Sequence, residues 1–377
     1  MSDAIAAGAA TPILHHYDFS PFAEKIRLAF GLKGLHWQSV QVPAVMPKPD
    51  LVALTGGYRH IPVLQIGADV YCDTRTICRE LDRRHPAPPL VTAATRGMAV
   101  AIEAWAERDL FWPIARYVSG VNAEAVDAQL HVDRALLRGK PTPSMARLNE
   151  VARRSRGLVR AALPVVEQML AHGGQWLLGG APGQADLAVY HGLWFLSAMP
   201  IDCAHELTDY PATRAWMARV AALGHGTRQD MSAAAALTIA AAAKPAPLPD
   251  SMMDDTLPAP GRAVAIRPDE YVTATVAGIL THVGRDDIAL LRHDARLGDV
   301  MLHFPRVGYS IRRSERRWRR PQATPGDVCA SRSLPENACP APECALRPAG
   351  GQRTAPPAAS QRRRCRPEPP APAARGN

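Results

Sequence analysis

The sequence predicts an α+β protein laid out in four stretches. A mixed strand–helix domain spans residues 10–87, an all-helical domain 92–243, a small β-rich domain 256–311, and a disordered basic tail 312–377. Three observations predict this. Short apolar runs alternate with helical patterns up to about residue 87. Alanine and leucine then rise, strand signals vanish and helical periodicity takes over. β-Branched residues return only after Pro245-Ala246-Pro247-Leu248-Pro249, a linker composition, and stop near Arg312.

The elements follow in order. Residues 13–17 are an apolar strand and 21–32 a helix, entered at Ser20-Pro21, where serine caps and proline suits the first helical position. Residues 36–42 are a second strand. Pro43, Pro47 and Pro49 then enforce a loop with at most a short helix at 50–54. Residues 61–66 and 70–72 form a hairpin around Gly67-Ala68-Asp69, and 73–84 is a helix. This βαβ–ββα order is that of a thioredoxin-like domain. Long helices are expected at 96–118 and 145–171, with further ones at 186–198 and 213–223, four to six in all. Trp105 and Trp112 are expected to share a core face with Met98 and Ile102. Strands at 264–266, 276–283, 288–292 and 300–304 then suit a small meander or barrel. His303 in the last of these reads as structural.

Charge and cysteine divide the chain. The net charge is +9, yet 14 arginines against 5 acids beyond residue 311 account for all of it, leaving 30 basic and 30 acidic residues before. The high pI therefore says nothing about the body binding nucleic acid, and that reading rests on the tail alone. Arginine, proline, alanine and cysteine dominate the tail, which cannot bury a core. It matches GC-rich DNA read out of frame; a genuine basic arm is the competing reading. Cys329, Cys339, Cys344 and Cys365 have no zinc-like spacing and no histidine partner, so no metal is expected. Cys72 and Cys78 read as inert core residues. No membrane-length apolar run or signal-like leader stands in the sequence, and a cytoplasmic protein is expected.

The chemistry concentrates in three motifs: Ser20-Pro21-Phe22 at a helix start, Ile61-Pro62-Val63-Leu64 with proline opening an apolar strand, and Asp73-Thr74 at the start of the third helix. A serine hydroxyl beside free backbone N–H groups at the positive end of a helix favours an anion such as a thiolate. Capping alone would also account for Ser20, Asp73 and Thr74.

Together with the helical stretch that follows, this series resembles the glutathione transferase family over residues 12–235. The resemblance implies that Ser20 hydrogen-bonds the glutathione sulfur. It implies that Phe22 and the Ile61 backbone contact the tripeptide, that Pro62 is cis, and that Asp73 and Thr74 hold the γ-glutamyl end. A free thiol has a pKa of about 8.5; lowering it by 1–2 units is worth about 1.4–2.7 kcal/mol. The implied protein is a detoxifying homodimer with glutathione as co-substrate, acting on a small hydrophobic electrophile near Phe19, Phe22, Phe111, Trp112 and Tyr117. Gly183 replaces the family's Ser or Thr helix cap before Asp186, and serine rather than cysteine at position 20 argues against thiol–disulfide chemistry. A non-catalytic binding or regulatory protein of the same fold is the alternative. Arg59 and His60 read as a solvated flanking loop.

Overall fold

A computed structural model describes residues 10–171, 174–252, 254–269 and 274–314. The first strand β1 (Ile13–His16) leads into α1 (Pro21–Leu32), then β2 (His36–Gln41) and α2 (Pro49–Thr55). The hairpin β3 (Val63–Ile66) and β4 (Asp69–Cys72) precedes α3 (Thr74–Arg84). β1 lies parallel to β2 and antiparallel to β3, as a thioredoxin-like domain requires. Apolar residues on both faces of these strands are buried, and α1 buries Ile26, Leu28 and Phe30 against the helical part.

The helical stretch comprises α4 (Arg96–Trp105), α5 (Phe111–Val121), α6 (Ala128–Leu137), α7 (Met145–Ala171), α8 (Gln184–Trp194) and α9 (Pro211–Ala221). The helix expected at 96–118 is broken by a π-turn at Ala106–Leu110. The inward stripe of α4 is Ala99, Ile102 and Glu103, so Met98 faces solvent and Trp105 is only half-buried, against the expected shared face. A charged residue on the inward face is invisible to hydrophobic periodicity. At the start of α8, Asp186 accepts from the N–H groups of Gly183 (3.0 Å) and Leu177 (2.9 Å) and from Trp216 Nε1 (2.8 Å), so glycine at the cap costs the fold little.

Three elements were not read from the sequence: α6 (Ala128–Leu137) and the two that follow α9. The chain returns to the first domain as β5 (Thr227–Asp230), parallel to β2, and α10 (Ala233–Ala242), capped by Ser232. β5 is fully exposed and carries no apolar alternation to betray it. The route is tight at Gly31, where a Cβ would stand 1.9 Å from the Gly224 carbonyl oxygen, so only glycine admits the crossing.

The β-rich region contains β6 (Ala263–Pro268), β7 (Val276–Val283), β8 (Asp287–Asp294), β9 (Gly298–Pro305) and β10 (Tyr309–Arg313). It continues the first sheet instead of packing alone. β9 pairs in parallel with β4, giving the order β10-β6-β7-β8-β9-β4-β3-β1-β2-β5. β10 pairs with β6, four strand steps from β9, or about 19 Å on a flat sheet. The link from Pro305 to Tyr309 spans at most about 15 Å. The meander must therefore curl on itself, with β10 left at an edge of the sheet. Val264, Leu280, Leu290, Leu302 and Phe304 share one core with Leu54, Val63 and Val70 of the first domain.

His303 clasps this seam. Its Nε2 lies 2.9 Å from Asp69 Oδ1 and its ring stacks on Tyr71 at 4.3 Å, so the acid that the local sequence lacks is supplied by β4. β10 extends through Arg313, so the tail boundary expected at 312 falls inside a strand. The tail's arginine clusters and four cysteines lie outside the described residues. Among the described residues no helix is long and apolar enough to cross a membrane.

Candidate functional site

Ser20 ends the β1–α1 turn in extended conformation and caps α1, its Oγ accepting from Ala23 N–H at 3.2 Å. Accepting that bond leaves the hydroxyl proton free to be donated elsewhere. The residue is 2% exposed, and that remaining surface opens on a cavity of about 690 Å3 between the first domain and the helices. Phe19, Phe22 and Ile61 line the same cavity with Phe111 and Trp112. Phe22 meets Phe111 edge-on at 4.8 Å. The Ile61–Pro62 peptide is cis, and Pro62 is buried behind Ile61. Tyr117 stands apart from the cavity: its hydroxyl donates to Glu206 Oε1 at 3.2 Å.

Arg59 and His60 are not a solvated loop. Both line the cavity wall, and Arg59 pairs with Asp133 of α6. Burial, with Arg59 beside it, pushes His60 down to about 3, so its imidazole is neutral. Lys48 is also buried against the cavity, its ammonium 5.7 Å from the centre of the Tyr17 ring. Burial and then Arg134 and Arg59 push its pKa down to about 8. The sequence contained no signal for Lys48, because only the fold of the Pro43–Pro49 loop turns it inward.

Asp73 and Thr74 lie at the other end of the site and do not line the cavity. Asp73 has φ 76°, the one non-glycine positive φ among the described residues, a conformation costing of order 1–2 kcal/mol. Its carboxylate is fully engaged. Oδ1 accepts from Arg75 N–H (2.9 Å) and Nε (3.2 Å), and Oδ2 from Arg75 Nη2 (3.1 Å) and the Tyr309 hydroxyl (3.3 Å). Burial alone would raise this carboxyl; Arg75 reverses the shift and holds it below the usual range.

Tyr309 comes from β10. Its hydroxyl also lies 3.1 Å from that of Tyr58, and its ring packs on Phe304 at 5.4 Å. Gly308 (φ +87°) brings the β9–β10 turn against α3, where a Cβ would stand 3.2 Å from Arg75 Nη2. A residue from the β-rich region therefore covers the start of α3.

Beneath this end lies a buried ion cluster that sequence reasoning missed. Lys25 of α1, 0% exposed, donates to Glu103 Oε1 (2.5 Å), Glu107 Oε1 (2.7 Å) and Thr74 Oγ1 (3.0 Å), which uses all three ammonium protons. Glu103 also accepts from Gln184 Nε2 at 2.8 Å. Burial, with Glu103 and Asp73 nearby, raises Glu107 to about 7 against the pull of Lys25. The π-turn that carries Glu107 is a frequent companion of functional sites.

Cys72 and Cys78 are buried, which pushes the first well above and the second up to about 12; neither is a reactive thiolate. Among the described residues no cluster of histidine, cysteine and carboxylate side chains could hold a metal.

Comparison with known proteins agrees with this architecture. Sequence models for "Glutathione S-transferase, N-terminal domain" and "Glutathione S-transferase, C-terminal domain" match residues 14–89 and 149–219. A GST-like protein from Pseudomonas syringae of known structure is 40% identical, with a TM-score of 0.66, over 81% of this chain and 100% of its own. That share of 377 residues is roughly 305, so about 60 or more aligned residues lie beyond residue 243. FtsZ-localized protein A of Caulobacter vibrioides is 28% identical over 178 residues, 46% of this chain and 72% of its own. The structure of FzlA from C. crescentus is 24% identical with a TM-score of 0.42, covering 56% and 88%. With both domain models in the expected order and a relative matched over its whole length, the chain belongs to the glutathione S-transferase family.

Proposed function

We propose that this chain binds glutathione along Ile61 and the start of α3 and activates its thiol at Ser20 for attack on a hydrophobic electrophile. The observation that carries this reading is Ser20 itself: an N-cap hydroxyl with an undirected proton, facing an aromatic-lined cavity large enough for a second substrate. One hydroxyl and one helix N-terminus stabilise the thiolate, and confinement beside the electrophile supplies proximity. No protein base is required, which fits neutral His60. The reaction balances simply: carbon–sulfur bond formation expels the leaving group, and the thiol proton passes to solvent. Cytoplasmic location and a homodimer follow from the family reading, and light scattering of the full chain at micromolar concentration tests the dimer.

The experiment is to mix protein and glutathione, follow thiolate absorbance against pH, and assay turnover of a generic aryl halide. Thiolate below the pH expected for free glutathione, with turnover, supports the reading. A second reading, a non-catalytic protein on the same fold, is favoured by one observation: the Asp73 carboxylate is already saturated by Arg75 and Tyr309. The name of the Caulobacter relative, which describes a location and not a reaction, is compatible with it. Retention on immobilised glutathione without thiolate or turnover would select this second reading.

A further inference from the structure

The electrophile cavity has a charge that its aromatic floor does not require. Lys48, Arg59, Arg116, Arg134, Arg138, Lys140 and Arg147 line it, and among the described residues no aspartate or glutamate does. The acids that pair with these cations lie outside the lining. Asp133 is shared between Arg59 and Arg134, and Glu150 pairs with Arg147 at 2.7 Å. Arg134 is held in place, donating to the Tyr17 hydroxyl (3.1 Å) and the Ala44 carbonyl (3.2 Å). Arg138 lies over the Trp112 ring at 5.5 Å, so a guanidinium and the indole floor form one surface.

Such a wall is costly when empty of anions. Like charges in a partly desolvated cleft raise one another's energy; at Lys48, Arg134 and Arg59 add to the lowering that burial begins. A cleft lined with one sign of charge also concentrates ligands of the other sign. Arginine adds geometry, since its planar fork donates to two carboxylate or phosphate oxygens at a time.

Resting on the thiol-activating reading above, we propose that the second substrate is an anionic aromatic electrophile: its ring lies on Phe111 and Trp112, and its carboxylate faces the arginines of α5 and α6, Arg116, Arg134 and Arg138. Glutathione is itself an anion, so the test must separate the two occupants. Binding is measured by calorimetry on the full chain, saturated with S-methylglutathione, using a dinitrobenzoate and the matching dinitrobenzamide. The expected result is at least about tenfold tighter binding of the benzoate, weakening as salt rises. Arg138→Gln and Arg116→Gln should each lower that ratio several-fold, with circular dichroism confirming the fold.

Turnover is then compared for the chloro-substituted pair, each rate divided by its uncatalysed reaction with glutathione. A preference for the benzoate supports the proposal. Equal binding of the pair, preference for the amide, or loss of benzoate binding whenever S-methylglutathione is present would each overturn it. Turnover of the neutral amide with no preference for the anion leaves thiol activation standing and removes only this inference. Benzoate binding without turnover of either chloro compound does the reverse.

Discussion

The two ends of the site differ in what covers them. The end proposed for the sulfur, Ser20 and Ile61, opens on a cavity of about 690 Å3 with aromatic and cationic walls. The end proposed for the γ-glutamyl group, Asp73 and Thr74, is more covered: Tyr309 and Arg75 engage the carboxylate, Lys25 donates to the threonine hydroxyl, and Gly308 lies on Arg75. Both ends use the same local device, a polar N-cap at a helix start. The difference arises some 235 residues downstream, where the β9–β10 turn reaches one end only. How tightly a helix N-terminus can hold a ligand depends on how many of its donors and acceptors the rest of the fold claims first.

The largest expected effect lies beneath the γ-glutamyl end. Lys25→Met leaves Glu103 and Glu107 buried without their cation and should cost about 3–5 kcal/mol in urea unfolding. A loss under about 1 kcal/mol would show that the cluster is solvated and the more covered end looser than described. At the sulfur end, Ser20→Ala should lower turnover by roughly 10- to 100-fold while changing glutathione affinity far less. The lost cap takes about 1 kcal/mol of stability with it, so melting temperature is measured in parallel. Unchanged turnover would reduce Ser20 to a cap and make the two ends alike.

Acid distinguishes the frameworks behind the two ends. His15, His16 and His60 have pKa values pushed down by burial to about 4, 3 and 3, while the unfolded value is 6.5. Below pH 6.5 the unfolded chain therefore binds more protons, and these groups make stability fall as pH drops from 6.5 towards 3–4. The maximal slope is about 1.4 kcal/mol per pH unit for each histidine. Glu107 acts in the opposite sense: its raised value, about 7, makes stability fall as pH rises from 4.5 to 7. Denaturation midpoints across pH 4–8 for the parent and Glu107→Gln separate the two, and the variant should lose the upper limb alone. The smallest effect is expected from Tyr309→Phe, which frees one lone pair of Asp73. Glutathione should bind several-fold tighter, about 1 kcal/mol, with no change for cysteinylglycine. Weaker glutathione binding would instead make Tyr309 part of the site.

Much of this was legible. The Ser20-Pro21 helix start, the proline at 62, the hairpin at 67–69 and the long α7 are written in short-range signals: capping chemistry, proline geometry and apolar period. The helices and strand that escaped notice lacked such signals. β5 is a solvent-exposed edge, α10 is nearly all alanine, and the π-turn shifts the register of a helix whose inward face carries Glu103. Arg59 read as solvated and Lys48 and Lys25 went unremarked because a sequence does not say which charges will meet; the partners lie 74 residues away for Arg59 and 78 for the nearer glutamate of Lys25.

By itself, then, the sequence determined the family, the first domain's order of elements and the residues proposed to stabilise a thiolate, because each depends on neighbours within a few positions. The tertiary structure decided which of those residues stay accessible. The coiling of β6–β10 onto β4 sets Tyr309 over Asp73, and the packing of α5 and α6 over the first domain gathers the cations around the aromatic floor. Accessibility and net field are sums over every element packed against a point, and no stretch of chain contains that sum.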